Sequence, residues 1–275
     1  ITNLAAAERV FEIMDTESSI SDAPEALPLP PIEGRVTFSH VDFSYEDDVK
    51  ILDDVSFDIK PGETIALVGA TGSAKSSLVQ LIPRLYDATS GEIRIDGIPV
   101  KNYNLDELHA RIGMVLQKNE LFTGTIIDNL RWGKPDASME EIEEAARAAE
   151  AHDFICSFTE GYNTLLGRGG INVSGGQKQR ICIARALLRK PKILILDDST
   201  SAVDTETELK IRNNLNAMLH DTTVFIITQR INTMQSADRV IVLEDGEINA
   251  IGTPDELIKN STVYQEIYHS QQVLF

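Results

Sequence analysis

The segment ETIALVGATGSAKSSLVQL, residues 63 to 81, restricts the fold more than any other part of the chain. A short apolar run, a loop with glycines at 69 and 72, and Leu78, Leu81, Ile82 and Leu85 at helical spacing read as strand, loop and helix. Pro83 lacks an N–H and is expected to kink or shorten that helix. In such a unit consecutive backbone N–H groups and the helix N-terminus converge on one point, where an anion is held. Gly69, Thr71, Gly72, Ser73, Ala74, Lys75, Ser76 and Ser77 would then surround a set of phosphates, with Lys75 reaching the β- and γ-phosphates and the Ser76 hydroxyl on Mg2+. One letter departs from the pattern, because such loops have glycine before the lysine and this one has Ala74. The match is either accidental or an altered loop, and the rest of the chain has to decide.

Two further stretches bear on it. ILILDDSTSAVD, residues 193 to 204, reads as a buried strand ending in two carboxylates. Asp197 is suited to hold Mg2+ through its water shell and Asp198 to orient an attacking water, although two acids at a strand end also suit helix capping. In NVSGGQKQR, residues 172 to 180, Ser174 is expected to cap a helix running through Ile181, Ala184, Leu187 and Leu188 to Pro191. Gly175 and Gly176 would let the backbone there approach something closely.

The surrounding pattern supplies a fold class. RVTFSHVDFSY and VSFDI alternate, so antiparallel strands come first. Hairpins are expected around Asp96-Gly97 and Asp245-Gly246. KILILDD and TTVFIIT are continuous apolar runs, the pattern of strands buried on both faces of a parallel sheet. Between about residues 120 and 190 the texture is helical, and SMEEIEEAARAAEAHDFI reads as one amphipathic helix opened by a Ser138–Glu141 capping box. The expectation is an α/β fold: a P-loop, RecA-like core with an antiparallel β subdomain and an inserted α-helical subdomain.

Composition removes several alternatives. A net charge of -18 and a pI near 4.6 disfavour nucleic acid as a partner. The two cysteines, Cys156 and Cys182, lack metal-ligand spacing and are expected to be reduced, buried thiols. No apolar run approaches the ~18 residues of a membrane span, so the chain as it stands is expected to be soluble. It starts at Ile1, has its first methionine at Met14, and shows no signal-peptide pattern, which suggests a piece of a longer polypeptide. Residues 1 to 34 read as a helix end followed by an acidic connector with Pro24, Pro28, Pro30 and Pro31, and residues 35 to 275 as the globular unit.

Taken together, GATGSAKS, ILILD and VSGGQ resemble the Walker A loop, Walker B strand and signature motif of the nucleotide-binding domain of ATP-binding cassette (ABC) transporters, in that family's order. Gln117 in VLQKNELFTGTI resembles the Q-loop, Ser201 to Asp204 the D-loop, and Tyr45 in FSY the aromatic that stacks on adenine; the resemblance runs from about Arg35 to Gln272. It implies ATP and Mg2+ as ligands, with Ser76, Gln117 and Asp197 around the metal. It also implies head-to-tail pairing, in which Ser174, Gly175, Gly176 and Gln177, together with Asp204, face the ATP held by a partner. From the residues alone, Tyr45 also fits a solvent-facing strand position and Gln117 a polar strand terminus.

Three positions depart from the family. Ala74 replaces the glycine before the lysine, Asp198 the catalytic glutamate after Walker B, and Gln229 in IITQR the switch histidine, while the signature is intact. All three would serve this chain's own ATP, which resembles the slow site of a heterodimeric exporter. A lesser departure is Arg168, where exporters often carry an acid ahead of the signature. The resemblance thus implies the ATP-binding domain of a half-transporter. Its partners would be a second half-transporter and its own transmembrane domain, at the cytoplasmic face of the cell membrane. A conventional homodimeric exporter ATPase and a regulatory nucleotide-gated module are the alternatives.

Overall fold

The computed structural model describes residues 2–16, 18–22, 30–46, 49–198 and 202–272. Residues 17 and 23–29 of the acidic connector, with Pro24 and Pro28, and Ser201 lie outside them. Helix α1 (Thr2–Met14) leads, and then come β1 (Val36–Ser44), β2 (Lys50–Ile59), β3 (Thr64–Val68), α2 (Lys75–Leu81), β4 (Ser90–Ile95), β5 (Ile98–Pro99), α3 (Leu105–Arg111) and β6 (Ile112–Val115). The middle of the chain forms β7 (Gly124–Thr125), α4 (Ile126–Arg131), α5 (Met139–Ala148), α6 (His152–Ser157), β8 (Leu165–Leu166) and α7 (Gly175–Leu187). It returns through β9 (Ile193–Asp197), α8 (Thr205–Met218), β10 (Thr223–Ile227), α9 (Ile231–Ser236), β11 (Arg239–Glu244), β12 (Glu247–Gly252), α10 (Pro254–Asn260) and α11 (Thr262–Gln272).

The main sheet has the order β12-β11-β3-β10-β9-β6, parallel except for β12. Its central strands are apolar without interruption because both faces are covered. Ile193 and Ile195 of β9, with Phe225 and Ile227 of β10, join one core, shared with Phe38, Phe43 and Phe57 of the antiparallel sheet β2-β1-β4-β5. The intervening Leu194, Leu196 and Val224 join a second core with α4, α5, α7 and α8. Ala66, Val68, Val240 and Val242 form a third with Met234, Leu257 and Tyr264. Both expected hairpins are present, as β4–β5 and β11–β12. Helix α2 stops at Leu81, two residues before Pro83, as the missing N–H requires.

Two expectations need correcting. The helix from Ser138 is not continuous to Ile155: the capping box is present, but α5 ends at Ala148, Glu150 takes a left-handed φ of 54°, and α6 begins afresh at His152. Tertiary hydrogen bonds impose the break, since Arg180 Nη1 donates to the Glu150 carbonyl (2.7 Å) and Asn214 Nδ2 to its carboxylate (2.8 Å). Cys182 is buried, and burial pushes its thiol pKa up, but Cys156 is exposed. Helix α6 is a single short turn and a half that turns only Ile155 fully inward.

Helix α1 presents Val10, Phe11, Ile13 and Met14 to solvent. Among the described residues no helix is long and apolar enough to cross a membrane.

Asp42 ties the antiparallel sheet together at an irregular point of β1. Its carboxylate accepts the Asp54 N–H (2.9 Å) and the Ser90 hydroxyl (2.8 Å) and lies 3.1 Å from Lys50 Nζ. The Asp54 N–H first, then the Ser90 and Lys50 hydrogen bonds, pull its pKa from 3.8 to about 2. A depressed folded-state pKa adds stability above the unfolded value that disappears as protons bind on the way down to the folded one. Urea midpoints measured against pH should therefore fall between pH 3.8 and about 2, and Asp42→Asn should flatten that acid limb while lowering the midpoint at neutral pH.

Candidate functional site

The register of the parallel strands builds the site. Ile227 pairs with Leu67 on one side and with Asp197 on the other, Val115 with Leu196, and Val242 with Val68. All these strands therefore end on one edge of the sheet, where ligands of open α/β folds bind. The glycine loop leaves from β3, the carboxylates Asp197 and Asp198 from β9, and Gln229 from just beyond β10. Gln117 stands exposed two residues beyond β6 on the same edge.

In the loop, Gly69 cannot carry a side chain: its φ is +150° and a Cβ would lie 2.2 Å from the Leu243 carbonyl oxygen. Ala74 sits at φ 68°, ψ 16°, immediately before α2. That is the left-handed conformation glycine adopts freely, and it costs an alanine ~1–2 kcal/mol. The Lys75 ammonium donates to the Gly69 carbonyl (2.9 Å), the Ala70 carbonyl (2.7 Å) and the Ser73 hydroxyl (3.1 Å). Its charge is thus held in the mouth of the loop. Burial lowers the Lys75 pKa, against the attraction of Asp197 and Asp198.

Asp197 is buried, and burial raises its pKa, opposed by a hydrogen bond from Ser76 and by the charge of Lys75. A hydroxyl and a carboxylate already paired across the β3–β9 edge are hard oxygen donors, the set Mg2+ takes when phosphates and waters complete its octahedron. Among the described residues no cluster of three or more His, Cys, Asp or Glu side chains offers a richer metal site. Ser76 and Asp197 fit a phosphate-bound Mg2+ better than a metal held by protein alone.

Asp198, at φ 45°, donates its N–H to the Ile227 carbonyl (3.2 Å), which fixes it against the end of β10. Gln229 is exposed and lines a cavity of about 490 Å3 together with Gly69, Thr71, Gly72 and Ser73 and with Glu266 of α11. Tyr45 is half exposed; its hydroxyl shares a 2.9 Å hydrogen bond with Ser77, and its ring meets Phe43 and Tyr86 edge-on, 4.7 and 5.1 Å between centroids. The aromatic thus stands beside the first turn of α2. Tyr45, the glycine loop, Asp197, Asp198 and Gln229 come together along one edge.

The signature lies elsewhere, at the start of α7, which packs against α4, α5 and β6. Ser174 and Gln177 close a capping box, with Gln177 N donating to Ser174 Oγ (3.2 Å) and Ser174 N to Gln177 Oε1 (2.9 Å). The close approach implied by Gly176 is to this chain's own backbone, because a Cβ there would be 2.9 Å from the Ala202 carbonyl oxygen. Gly175 faces the Ala202 methyl group. Asp204 caps α8, accepting from Thr207 N (2.9 Å) and Thr207 Oγ1 (2.7 Å), and Arg168 is exposed in the loop before the signature.

Motif spacing leaves out three residues that brace these elements, namely Gln179, Glu208 and Arg230. Glu208 carried a signal: on α8 it shares the inward face with Ile211 and Leu215, an unusual place for a carboxylate unless it is paired.

The fold is that of the P-loop nucleoside triphosphatases, and comparison with known proteins narrows the class. Residues 52–201 match the ABC transporter family, and the chain belongs to it. It is 47% identical over 272 residues to the "Putative multidrug export ATP-binding/permease protein YgaD" of Bacillus subtilis, covering 98% of this chain and 47% of that protein. The "Uncharacterized ABC transporter ATP-binding protein YfiB" of the same organism is 48% identical over 268 residues, 97% of this chain and 46% of that one. The solved structure of a bacterial Atm1-family ABC exporter with ATP bound superposes with a TM-score of 0.94 at 35% identity, covering 98% of this chain and 47% of the other. The chain spans about half the length of the curated relatives it matches.

The strained alanine is directly testable. Ala74→Gly removes the left-handed penalty and adds chain entropy to the unfolded state, for a net gain of about 1 kcal/mol. Urea denaturation without nucleotide should show that gain, and the dissociation constant for Mg-ATP should fall.

Proposed function

We propose that this chain is the ATP-binding domain of a membrane exporter subunit, with a nucleotide site that holds Mg-ATP longer than it hydrolyses it. The observation that carries the reading is the common edge shared by an assembled phosphate loop, with Lys75 and the Ser76–Asp197 pair, and the three departures Ala74, Asp198 and Gln229. Lys75 and the loop N–H groups bind the β- and γ-phosphates. Ser76 and Asp197 would hold Mg2+, with Gln117 beyond β6 as a further oxygen donor, and the metal would supply charge neutralisation of those phosphates. Tyr45 offers its exposed ring to adenine, a contact worth ~1–3 kcal/mol in other nucleotide complexes.

Turnover is where this site falls behind. Asp198 takes the proton of the attacking water from a side chain one methylene shorter than glutamate, a shift of about 1 Å that costs on the order of 10²-fold in rate. Gln229 donates a neutral hydrogen bond to the γ-phosphate, roughly half as strong as a charge-assisted one. The capped turn Ser174–Gln177, with Asp204 near it, serves the ATP of a second subunit paired head to tail, where hydrolysis proceeds.

The transmembrane partner docks in a groove of about 440 Å3 beside Gln117, between β6 and α7, lined by Leu116, Phe122, Trp132 and Arg185. Its floor is braced from within: buried Asn129 binds both Phe122 N (2.8 Å) and Phe122 O (2.8 Å), and Arg185 Nε donates to the Asn129 carbonyl (2.8 Å). The apolar residues exposed on α1 suit the same membrane partner, and in this reading the domain lies on the cytoplasmic face.

In the assembled transporter, the triple change Ala74→Gly, Asp198→Glu and Gln229→His should raise hydrolysis at this site by about 10²-fold, read as single-site turnover with the partner's Walker lysine removed. No gain would leave a conventional exporter with two equivalent sites. The wild-type chain alone should show near-zero ATPase activity.

A further inference from the structure

Cys156 is exposed on α6 and takes no part in the nucleotide edge. Its sulfur has a base beside it: at i,i+4 spacing His152 shares its helix face, with Nε2 3.6 Å and Nδ1 3.9 Å from Sγ. The imidazole is held from two further elements. Its Nδ1 lies 2.9 Å from the hydroxyl of Tyr162, a buried ring in the 3-10 turn Gly161–Asn163, and Arg147 Nη2, from the last turn of α5, lies 3.4 Å from Nε2. A guanidinium only donates, so Nε2 carries the lone pair and Nδ1 the proton, which it donates to Tyr162 Oη. The ring nitrogen free to accept a proton is therefore the one closer to the thiol. Burial pushes the Tyr162 phenol up, and the Cys156 sulfur adds to the push, so this support stays a neutral hydroxyl. Arg147 is paired to Glu143 (2.7 Å), which offsets its repulsion of a protonated His152.

We propose that Cys156 is a thiol modification site that exchanges with uncharged or cationic low-molecular-weight disulfides, with His152 as its base and Tyr162 as the residue that positions His152. The thiol gives its proton to His152 Nε2, and the sulfur attacks one sulfur of the incoming disulfide. The S–S bond of the reagent breaks as the new one forms, and the departing thiolate takes the proton from His152 Nε2–H. One disulfide and one thiol thus become one mixed disulfide and one thiol, with no other oxidant. Anionic disulfides are disfavoured by a chain of net charge -18 and by Glu143 beside the site. Cys182 offers the contrast within the same subdomain: it is buried, burial pushes its thiol up, and its sulfur meets only the Glu120 carbonyl, at 3.9 Å. Buried thiols of that kind are inert.

The test is the rate at which bis(hydroxyethyl) disulfide modifies Cys156 in the assembled transporter at neutral pH, read by mass spectrometry of the peptide that carries it. The reference is the same peptide free in solution. A free thiol is only a few per cent thiolate there, and nucleophilicity falls as a thiol becomes more acidic, so the neighbouring base should speed exchange about tenfold over the peptide. His152→Gln should return the rate to that of the peptide. Tyr162→Phe should slow exchange by about threefold in the wild-type background and have no effect in His152→Gln, because it acts only through the imidazole. Cys182 reports the fold, since it stays unmodified in any variant that keeps its packing and reacts once the subdomain opens. Cystamine should gain more over the peptide than a dicarboxylate disulfide does, and the reverse order would overturn the reagent class. A wild-type Cys156 no faster than the peptide would overturn the proposal without recourse to any variant, and so would a His152→Gln protein that keeps Cys182 unmodified and reacts at the wild-type rate.

Discussion

Parallel main-chain pairing of β3, β10 and β9 in one register is the constraint on which the molecule depends. Ile227 sits between Leu67 and Asp197, so the glycine loop, the carboxylates and Gln229 emerge side by side without any direct sequence relation between them. The pairing holds because both faces of these strands are buried, with alternate residues feeding different cores. A slip of one residue would exchange those cores and move Asp197 away from Ser76.

The electrostatics follow from that placement. Lys75 and Asp197 are both driven toward their neutral forms by burial, and each opposes the drive on the other. The loop carbonyls of Gly69 and Ala70 and the Ser73 hydroxyl take up the donors of the ammonium, which offsets part of the cost of burying it. Under the proposed function, phosphate binding would be an exchange of acceptors, and Mg2+ would replace the hydrogen bond between Ser76 and Asp197.

Much of this was legible in the sequence, for physical reasons that differ between elements. The phosphate loop, the Asp96-Gly97 and Asp245-Gly246 hairpins and the capped start of α7 are local, and each is written in residues that interact within a few positions. The twice-buried strands were legible because burial on both faces leaves no alternation to misread. The break at Glu150 was not, since it is imposed by Arg180 and Asn214 from distant segments. The partner of Gly176 was not legible for the same reason: glycine announces a close approach without saying to what, and here it is Ala202. Cys156 reads as apolar in its neighbourhood, yet which face of a short helix turns inward is decided by packing against the rest of the subdomain.

Under the proposed reading, the positions that depart from the family are less deeply buried than the elements they adjoin. Gln229 is exposed, and Ala74 and Asp198 are only partly buried. Ala74 strains its own backbone without displacing a neighbour, and Asp198 keeps its main-chain bond to Ile227 whatever its side chain. Gly69 and Gly176 have no such freedom, because a methyl group at either would strike a carbonyl oxygen, and Asp197 is buried with Ser76 and Lys75 as its counterweights. Elements that bind phosphate and elements that present the signature are built into the packing, whereas the groups that would speed water attack are appended to it. A chain of this construction can lose catalytic rate at its own site while it retains nucleotide binding and an intact face for its partner.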